Sequence, residues 1–144
     1  HCFLGHKRLT IIDLTNNGRQ PIFDSSDRFA LTFNGEIYNY RELKNDLEEK
    51  FGKILWKSET DSEVIIEGVS RVGIEFLEKL NGMYSLAIYD KTHGLMHILR
   101  DQIGIKPLFY TLRNKKFVFS SEIKTLKKVM KIKLNIKMPN KAFK

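Results

Sequence analysis

The sequence predicts an α+β domain in which helices cover layered, antiparallel β-sheets. Strand-like segments come first, helical segments follow, and two strand–turn–strand pairs come after the helices. The period of the apolar residues changes from 3.6 to 2 near Met83, which indicates a change from helices to hairpins. Because hairpin strands pair antiparallel, an alternating βαβ fold is not expected.

Two strands are predicted before the first helix. The stretch from Phe3 to Leu14 is rich in β-branched and aliphatic residues, and turn-forming residues 16–18 follow it. A second strand is predicted over 28–33, ending at Asn34 and Gly35, which tolerate the positive φ angles of a turn. Since the next strong element is a helix, a tight hairpin is not predicted there.

Two well-marked helices follow. The first is predicted to begin after Asn39, which forms an N-cap box with Glu42, and to end at Gly52. Asp61 is the predicted N-cap of the second helix, which ends before Gly73.

The remaining elements are a short helical segment, two hairpins and a last helix. They are predicted at 74–80, at 83–89 with 95–99, at 108–112 with 117–120, and at 122–130, capped by Ser120 or Ser121. From Ile132 to Met138, apolar residues alternate with polar ones, which predicts a half-buried segment.

The charge of the chain is concentrated at one end. The 144 residues include 25 basic and 17 acidic side chains, a formal charge of +8. Lys115 to Lys144 hold ten Lys and one acid, which leaves 15 basic and 16 acidic groups in the first 114 residues. A nucleic-acid-binding fold needs a basic stripe across it, so this distribution argues against that function. The composition, 42% hydrophobic and 29% charged, is typical of one soluble globular domain.

The single cysteine, Cys2, rules out an internal disulfide framework and favours a reducing compartment, so we expect a cytoplasmic protein. No apolar run is long enough to cross a bilayer, and no membrane partner is expected. The first residue is His1 and a strand-like stretch begins at once, so we expect the chain to start inside a larger gene product.

Four local features stand out from ordinary core and surface residues. They are residues 5–9, 33–39, 58–61 and 100–107. None is a zinc, P-loop or dinucleotide-binding motif, and no metal site is predicted. The residue types alone indicate that an Arg, an Asn-Gly-Glu segment and an acidic helix start could line one site.

Five ordered motifs carry a family resemblance. They are GHKRLTIIDL at 5–14, FNGEIYNYREL at 33–43, LNGMYSLAIYD at 80–90, RDQIGIKPLFY at 100–110 and SSEIKTL at 120–126. In order and spacing, the chain resembles the class II glutamine amidotransferase domain of glutamine-hydrolysing asparagine synthetases. The resemblance covers about residues 4–128. It implies a fold of the N-terminal-nucleophile-hydrolase type, truncated here, with antiparallel sheets sandwiched between helices.

The resemblance implies thiolate attack on the side-chain amide of L-glutamine. The tetrahedral oxyanion needs preorganised donors, and the Asn34 carboxamide and the Gly35 backbone N–H are the matching oxyanion hole. The nucleophile of the family is the first residue of the mature chain and lies tens of residues before the Arg8 motif. Cys2 does not match it and is interpreted as a small buried hydrophobe. The 144 residues alone are therefore expected to be inactive as a glutaminase.

The resemblance also assigns the residues that bind the amino-acid end of glutamine. Arg8 matches the residue for the α-carboxylate, and backbone groups around Leu9, Thr10, Ile11 and Ile12 line the same wall. Glu36 and Asp61 match the carboxylates for the α-ammonium group. From the residues alone, Arg8 is also compatible with a surface ion pair, and Asp61 with a simple helix N-cap. Residues 100–107 are interpreted as a shaped structural loop or a contact with a further domain.

The resemblance divides the chain into a partial glutaminase domain, 1–130, and the start of a connection, 131–144, to an ATP-dependent synthetase domain. ATP and Mg²⁺ are expected only in that domain. The intact protein would be a carbon–nitrogen ligase that uses glutamine to amidate aspartate. A homodimer is compatible with this expectation. Two alternatives stay open: an amidotransferase with another carboxylate acceptor, and an inactive remnant or binding module that uses its basic end.

Overall fold

The computed structural model describes residues 2–6 and 19–131, and it contains two compact units, the first ending in the sequence at Lys106 and the second beginning at Pro107. The first unit holds β1 (Ile22–Phe23), β2 (Phe29–Ile37), α1 (Tyr40–Phe51), α2 (Asp61–Val72), a 3₁₀ helix (Ile74–Lys79), β3 (Gly82–Asp90) and β4 (Leu95–Arg100). The second unit holds β5 (Phe109–Arg113), β6 (Lys116–Ser120) and α3 (Ile123–Met130). The α+β class with antiparallel sheets is confirmed.

Parts of two predictions lie outside the described residues. Most of the predicted first strand, 3–14, and the alternating segment 132–138 cannot be compared with the structure. Within the described part of the first stretch, residues 2–6 form no regular element. The division at about residue 130 into a glutaminase domain and a connection stays a prediction.

The main sheet has the strand order β1-β2-β3-β4, and every neighbouring pair is antiparallel. The predicted hairpin between β3 and β4 is confirmed. The predicted end of the second strand was wrong, because β2 continues through Asn34 and Gly35 to Ile37. All nine residues of β2 lie opposite residues of β3, so pairing between the strands overrides the turn preference of the Asn-Gly pair.

Two glycines allow β2 and β3 to approach closely. A Cβ atom on Gly35 would lie 2.1 Å from the carbonyl oxygen of Met83 and 2.7 Å from Cα of Tyr84. A Cβ atom on Gly82 would lie 2.2 Å from the carbonyl oxygen of Glu36. Both contacts are with backbone atoms, which cannot rotate away, so each position requires glycine for lack of space.

The helices cover one face of this sheet. Helix α2 packs against β2 and α1. The core contains alternate residues of the strands and the apolar stripes of the helices, among them Leu31, Phe33, Leu43, Leu47, Val64, Ile65, Val69, Phe76, Leu86 and Ile88.

The predicted helix starts were only partly right. Asn39 precedes α1, but its side chain makes no capping bond; it accepts from Asn81 N–H at 3.0 Å and donates to the Lys79 carbonyl at 2.9 Å. Asp61 is the first residue of α2 and not its N-cap; the N-cap is Thr60, whose hydroxyl accepts from Glu63 N–H at 3.4 Å.

The second unit is a hairpin with one helix. Strands β5 and β6 pair antiparallel as predicted, and α3 packs against both strands. The N-cap of α3 is Glu122 and not Ser120 or Ser121. The Ser120 hydroxyl accepts a 3.0 Å hydrogen bond from the N–H of Glu122. Leu126 is the buried residue of α3.

Candidate functional site

Three of the predicted site residues lie together at the C-terminal end of β2. Along this strand, Phe33 and Ile37 belong to the core beneath the helices. Because side chains alternate across a strand, Asn34 and Glu36 lie on the opposite face. Asn34 is half-buried and Glu36 is exposed.

The pairing register determines where the Gly35 N–H points. Gly35 lies opposite Tyr84 on β3. Tyr84 uses both of its backbone groups on the other side, since its N–H donates to the Asp101 carboxylate at 3.2 Å and its carbonyl accepts from Asp101 N–H at 2.8 Å. Gly35 and Tyr84 are therefore a non-hydrogen-bonded pair, and the Gly35 N–H points away from β3.

On that outer edge of β2, the neighbouring donors already have partners. The N–H of Phe33 donates to Gln20 Oε1 at 2.6 Å, and the N–H of Ile37 donates to Asp61 Oδ2 at 3.0 Å. The Gly35 N–H lies between them and has no acceptor among residues 2–6 and 19–131. It is thus placed to donate to an oxygen from outside this part of the chain.

The Asn34 side chain is a second available donor. Its carboxamide makes no hydrogen bond within the described part of the chain. Consecutive residues hold the two groups close together: the Gly35 N–H lies in the plane of the sheet and the Asn34 carboxamide on one face. Two such donors can stabilise the negative oxygen of a tetrahedral intermediate.

Asp61 brings a buried carboxylate to the same strand end. It is 5% exposed, and its Oδ2 holds the backbone of Ile37. Burial raises the pKa of Asp61, the hydrogen bonds from Ile37 and Ser62 oppose this rise, and the nearby negative charge of Glu36 adds to it. Two carboxylates of this kind favour a cationic partner, which would restore the charged form of Asp61.

A capping network holds Asp61 in place. Buried Glu63 accepts hydrogen bonds from the N–H groups of Lys57, at 2.7 Å, and Ser58, at 2.6 Å. It also accepts from the Ser58 hydroxyl at 2.7 Å, and that oxygen lies 2.8 Å from Thr60 Oγ1. Thr60 and Glu63 have the spacing of a capping box, so the sequence signal was present although the interpretation of Asp61 as N-cap passed over it.

The other predicted residues are not all comparable. Arg8, Leu9, Thr10, Ile11 and Ile12 lie outside the described residues, so their place in the site stays a prediction. Cys2 was predicted to be buried, and this was wrong: it is an exposed free thiol in a segment without regular structure. Partial desolvation raises the pKa of the Cys2 thiol, which disfavours the thiolate that a nucleophile needs.

Two surface depressions of the first unit lie elsewhere. One of about 370 Å³ is lined by Arg28, Asp90 and His97 among others, and one of about 560 Å³ by Arg41, Lys44 and Glu59 among others. Neither is lined by Asn34, Gly35, Glu36 or Asp61. The candidate site is therefore defined by its donors and carboxylates, and not by the volume of a cavity.

Among residues 2–6 and 19–131, no three His, Cys, Asp or Glu side chains are grouped so that they could hold a metal ion. No helix in this same part of the chain has the length and apolar character needed to cross a membrane.

Comparison with known proteins identifies the class of domain. Residues 1–143 match the family described as "Glutamine amidotransferase domain". The chain belongs to this family, which confirms the expectation drawn from the five motifs. A solved structure, the glutamine phosphoribosylpyrophosphate amidotransferase of Bacillus subtilis complexed with ADP and GMP, has 26% identity and a TM-score of 0.70. The matched region covers 84% of this chain and 28% of the chain in that solved structure.

Two similar curated relatives carry a more specific name. Glutamine-hydrolyzing asparagine synthetase 2 of Bacillus subtilis (strain 168) is 42% identical over 120 residues, 83% of this chain and 15% of the relative. A putative glutamine-hydrolyzing asparagine synthetase 2 of Methanocaldococcus jannaschii is 38% identical over 143 residues, 90% of this chain and 27% of the relative. The chain thus spans about a quarter or less of the length of these relatives.

Proposed function

We propose that the chain is the glutaminase part of a longer glutamine-hydrolysing asparagine synthetase. The observation that carries this proposal is the placement of the Gly35 N–H, which has no acceptor among residues 2–6 and 19–131, beside the Asn34 carboxamide, with Asp61 and Glu36 at the same strand end. Asn34 and Gly35 suit the oxyanion formed at the side-chain amide of L-glutamine. Asp61 and Glu36 suit its α-ammonium group.

The reaction follows from these roles. A cysteine thiolate, which we assign to a residue other than Cys2, attacks the side-chain amide carbon of glutamine and forms a C–S bond. The carbonyl oxygen becomes an oxyanion and accepts hydrogen bonds from Asn34 and Gly35. The C–N bond then breaks, the nitrogen takes up a proton and leaves as ammonia, and water hydrolyses the thioester to glutamate and the free thiol.

The charged ends of glutamine give the site its specificity. Arg8 binds the α-carboxylate, with the backbone of Leu9 to Ile12 beside it, and Asp61 and Glu36 bind the α-ammonium group. Binding of this cation offsets the cost of keeping Asp61 ionised in a buried place. A substrate without the ammonium group would leave that cost uncompensated.

The further length of the relatives supports a second catalytic domain in the complete protein. We assign to it the ATP and Mg²⁺ that activate aspartate for attack by the released ammonia. Because a thiolate nucleophile needs reducing conditions, we place the protein in the cytoplasm.

Asn34→Ala in the complete protein tests this function. We expect glutamine hydrolysis, measured as glutamate release, to fall in kcat about 10²- to 10³-fold, since one oxyanion donor is lost. Asn45→Ala, on the exposed side of α1, is the matched control and should retain wild-type activity. Synthesis supplied directly with ammonia should survive in both variants. Product analysis with aspartate and with other carboxylates identifies the acceptor.

Three results of these measurements would contradict parts of the proposal. Wild-type protein that releases no glutamate from glutamine would refute the glutaminase function. Full glutamine hydrolysis by Asn34→Ala would refute the assigned oxyanion site. Product formed with a carboxylate other than aspartate would retain the glutaminase and replace the acceptor.

A further inference from the structure

We infer that Asp101 is a positioning residue for the oxyanion-binding donors: it holds β3 at the residue against which Gly35 packs. This inference rests on the proposed function and extends it to a residue that does not touch the substrate. It also gives the 100–107 loop a specific task.

Asp101 binds three backbone N–H groups through its carboxylate. Oδ2 accepts from Tyr84 at 3.2 Å and from Lys106 at 3.1 Å, and Oδ1 accepts from Ile105 at 2.9 Å. The backbone N–H of Asp101 returns a 2.8 Å bond to the Tyr84 carbonyl. With 5% exposure, this carboxylate joins β3 to the loop that follows β4.

The loop around Asp101 is closed by its own contacts. Arg100 donates to the carbonyl of Lys106 at 2.6 Å and to the carbonyl of Gly104. The N–H of Gly104 donates to the Asp101 carbonyl at 2.9 Å. These bonds within the loop help to hold the Asp101 carboxylate in place.

Ionisation of Asp101 is favoured by this arrangement. Burial alone would raise the pKa of the carboxyl, but backbone N–H donors, first those of Ile105 and Lys106, outweigh it and lower the pKa to about 2. The carboxylate therefore keeps its full acceptor capacity at neutral pH.

The path from Asp101 to the candidate site consists of direct backbone contacts. Asp101 holds Tyr84 through two hydrogen bonds, and Tyr84 lies opposite Gly35. No side chain separates Gly35 from β3, because the space for a Cβ is already filled by Met83 and Tyr84 backbone atoms. A displacement of Tyr84 must therefore move Gly35, and with it the direction of its N–H.

Of the two carboxylates assigned to the α-ammonium group, Glu36 lies on β2 beside Gly35 and Asp61 lies on another element. Asp61 is on α2 and is held by the capping network of Glu63 and Thr60. A change at Asp101 should therefore affect the transition state more than substrate binding. A change that only weakened the fold would not separate kcat from KM in this way.

Asp101→Asn in the complete protein is the test, with Asp90→Asn as matched control. Asp90 is equally buried, at the other end of β3, and also binds backbone N–H groups, those of Thr92 and His93. We expect Asp101→Asn to lower kcat for glutamine hydrolysis about 10- to 100-fold with KM within about twofold of wild type. Asp90→Asn should leave both constants within about twofold of wild type.

Hydrogen exchange gives a readout that does not need activity. In the complete protein, the backbone amides of residues 33–37 should exchange faster in Asp101→Asn than in wild type. In Asp90→Asn, their exchange rates should equal those of wild type. If Asp101→Asn does not fold, Arg100→Lys weakens the same loop and should lower kcat by a smaller factor, again with KM retained.

The outcomes separate this inference from the proposed function. An active wild type whose kcat is unaffected by Asp101→Asn, or is lowered equally by Asp90→Asn, would overturn the role of Asp101. A rise in KM without a fall in kcat would overturn it as well. An inactive wild type would refute the proposed glutaminase, while unchanged exchange at 33–37 would still refute the coupling between Asp101 and Gly35.

Discussion

Gly82 illustrates, at the scale of single atoms, how a missing side chain shapes the strand that carries the candidate site. Its missing side chain leaves room for the carbonyl oxygen of Glu36, which would lie 2.2 Å from a Cβ. Gly35 has the reciprocal contact with Met83 and Tyr84. The two glycines together determine how closely the site strand lies on its neighbour.

Gly82→Ala should therefore destabilise the protein although it adds one methyl group. We expect a loss of about 2 to 3 kcal/mol in the free energy of unfolding, because backbone atoms must shift to relieve the overlap. The measurement is the midpoint of denaturant unfolding. Gly5→Ala is the control: no atom of residues 2–6 and 19–131 lies within 4 Å of its added Cβ, and it should cost little. Equal midpoints for the two variants would contradict the close approach.

At this scale the motifs named candidate site residues but not the residues that support them. Asn34, Gly35, Glu36 and Asp61 were chosen from the sequence, and the structure places them at one strand end. Asp101 was assigned only to a shaped loop, because the bonds that join it to β3 are with the backbone of Tyr84. Such bonds depend on tertiary contact and leave no periodic signal in the sequence.

Elements were predicted best where one period extended over many residues. Helices α1 and α2 and the β3–β4 hairpin lie where the apolar periods indicated. Strand β2 was predicted too short, because the Asn34-Gly35 pair has turn chemistry and its pairing with β3 is a long-range effect. Local propensity could not show that Gly35 is needed for space and not for a positive φ.

The start of α2 gives a prediction at the scale of an element. Glu63→Ala would leave the N–H groups of Lys57 and Ser58 without their acceptor, and we expect a loss of about 2 to 3 kcal/mol in unfolding free energy. Glu59→Ala is the control, since its side chain is 81% exposed and its ion pair with Lys44 is worth at most about 1 kcal/mol. Thermal or denaturant unfolding would show the difference; similar losses would contradict the capping role.

Across the whole molecule, buried carboxylates connect loops to the sheet. Asp24 binds Phe29 N–H at 2.6 Å, Asp90 binds Arg28, and Asp101 binds the loop after β4. The hydrogen bond from Arg28 lowers the pKa of Asp90. Burial opposes ionisation of Asp24, but hydrogen bonds from Ser26 and Ser70 hold its pKa below the ordinary value. The fold therefore depends on ionised acids.

This arrangement predicts acid sensitivity with a definite direction. The pKa of Asp101 is about 2 in the folded protein against 3.8 ordinarily, so its contribution is complete above about pH 5 and is lost as the pH falls through 3.8 toward 2. Asp61 has a raised pKa and acts in the opposite direction. Denaturant unfolding between pH 7 and 2 should show falling stability below about pH 4. The difference in unfolding free energy between wild type and Asp101→Asn should shrink over the same pH range. A constant difference would contradict the stabilising role of the Asp101 carboxylate.

The outer edge of β2 has a consequence for how molecules of this protein meet one another. Intermolecular β-pairing needs a row of unused N–H and carbonyl groups along a strand. Here Gln20 and Asp61 already occupy the N–H groups of Phe33 and Ile37, so within residues 19–131 an incoming strand would find only the Gly35 donor between them. One isolated N–H donor can bind an oxygen atom of a small ligand, but it cannot start a ladder of β-sheet hydrogen bonds. The arrangement that leaves room for a substrate therefore also protects the strand against aggregation.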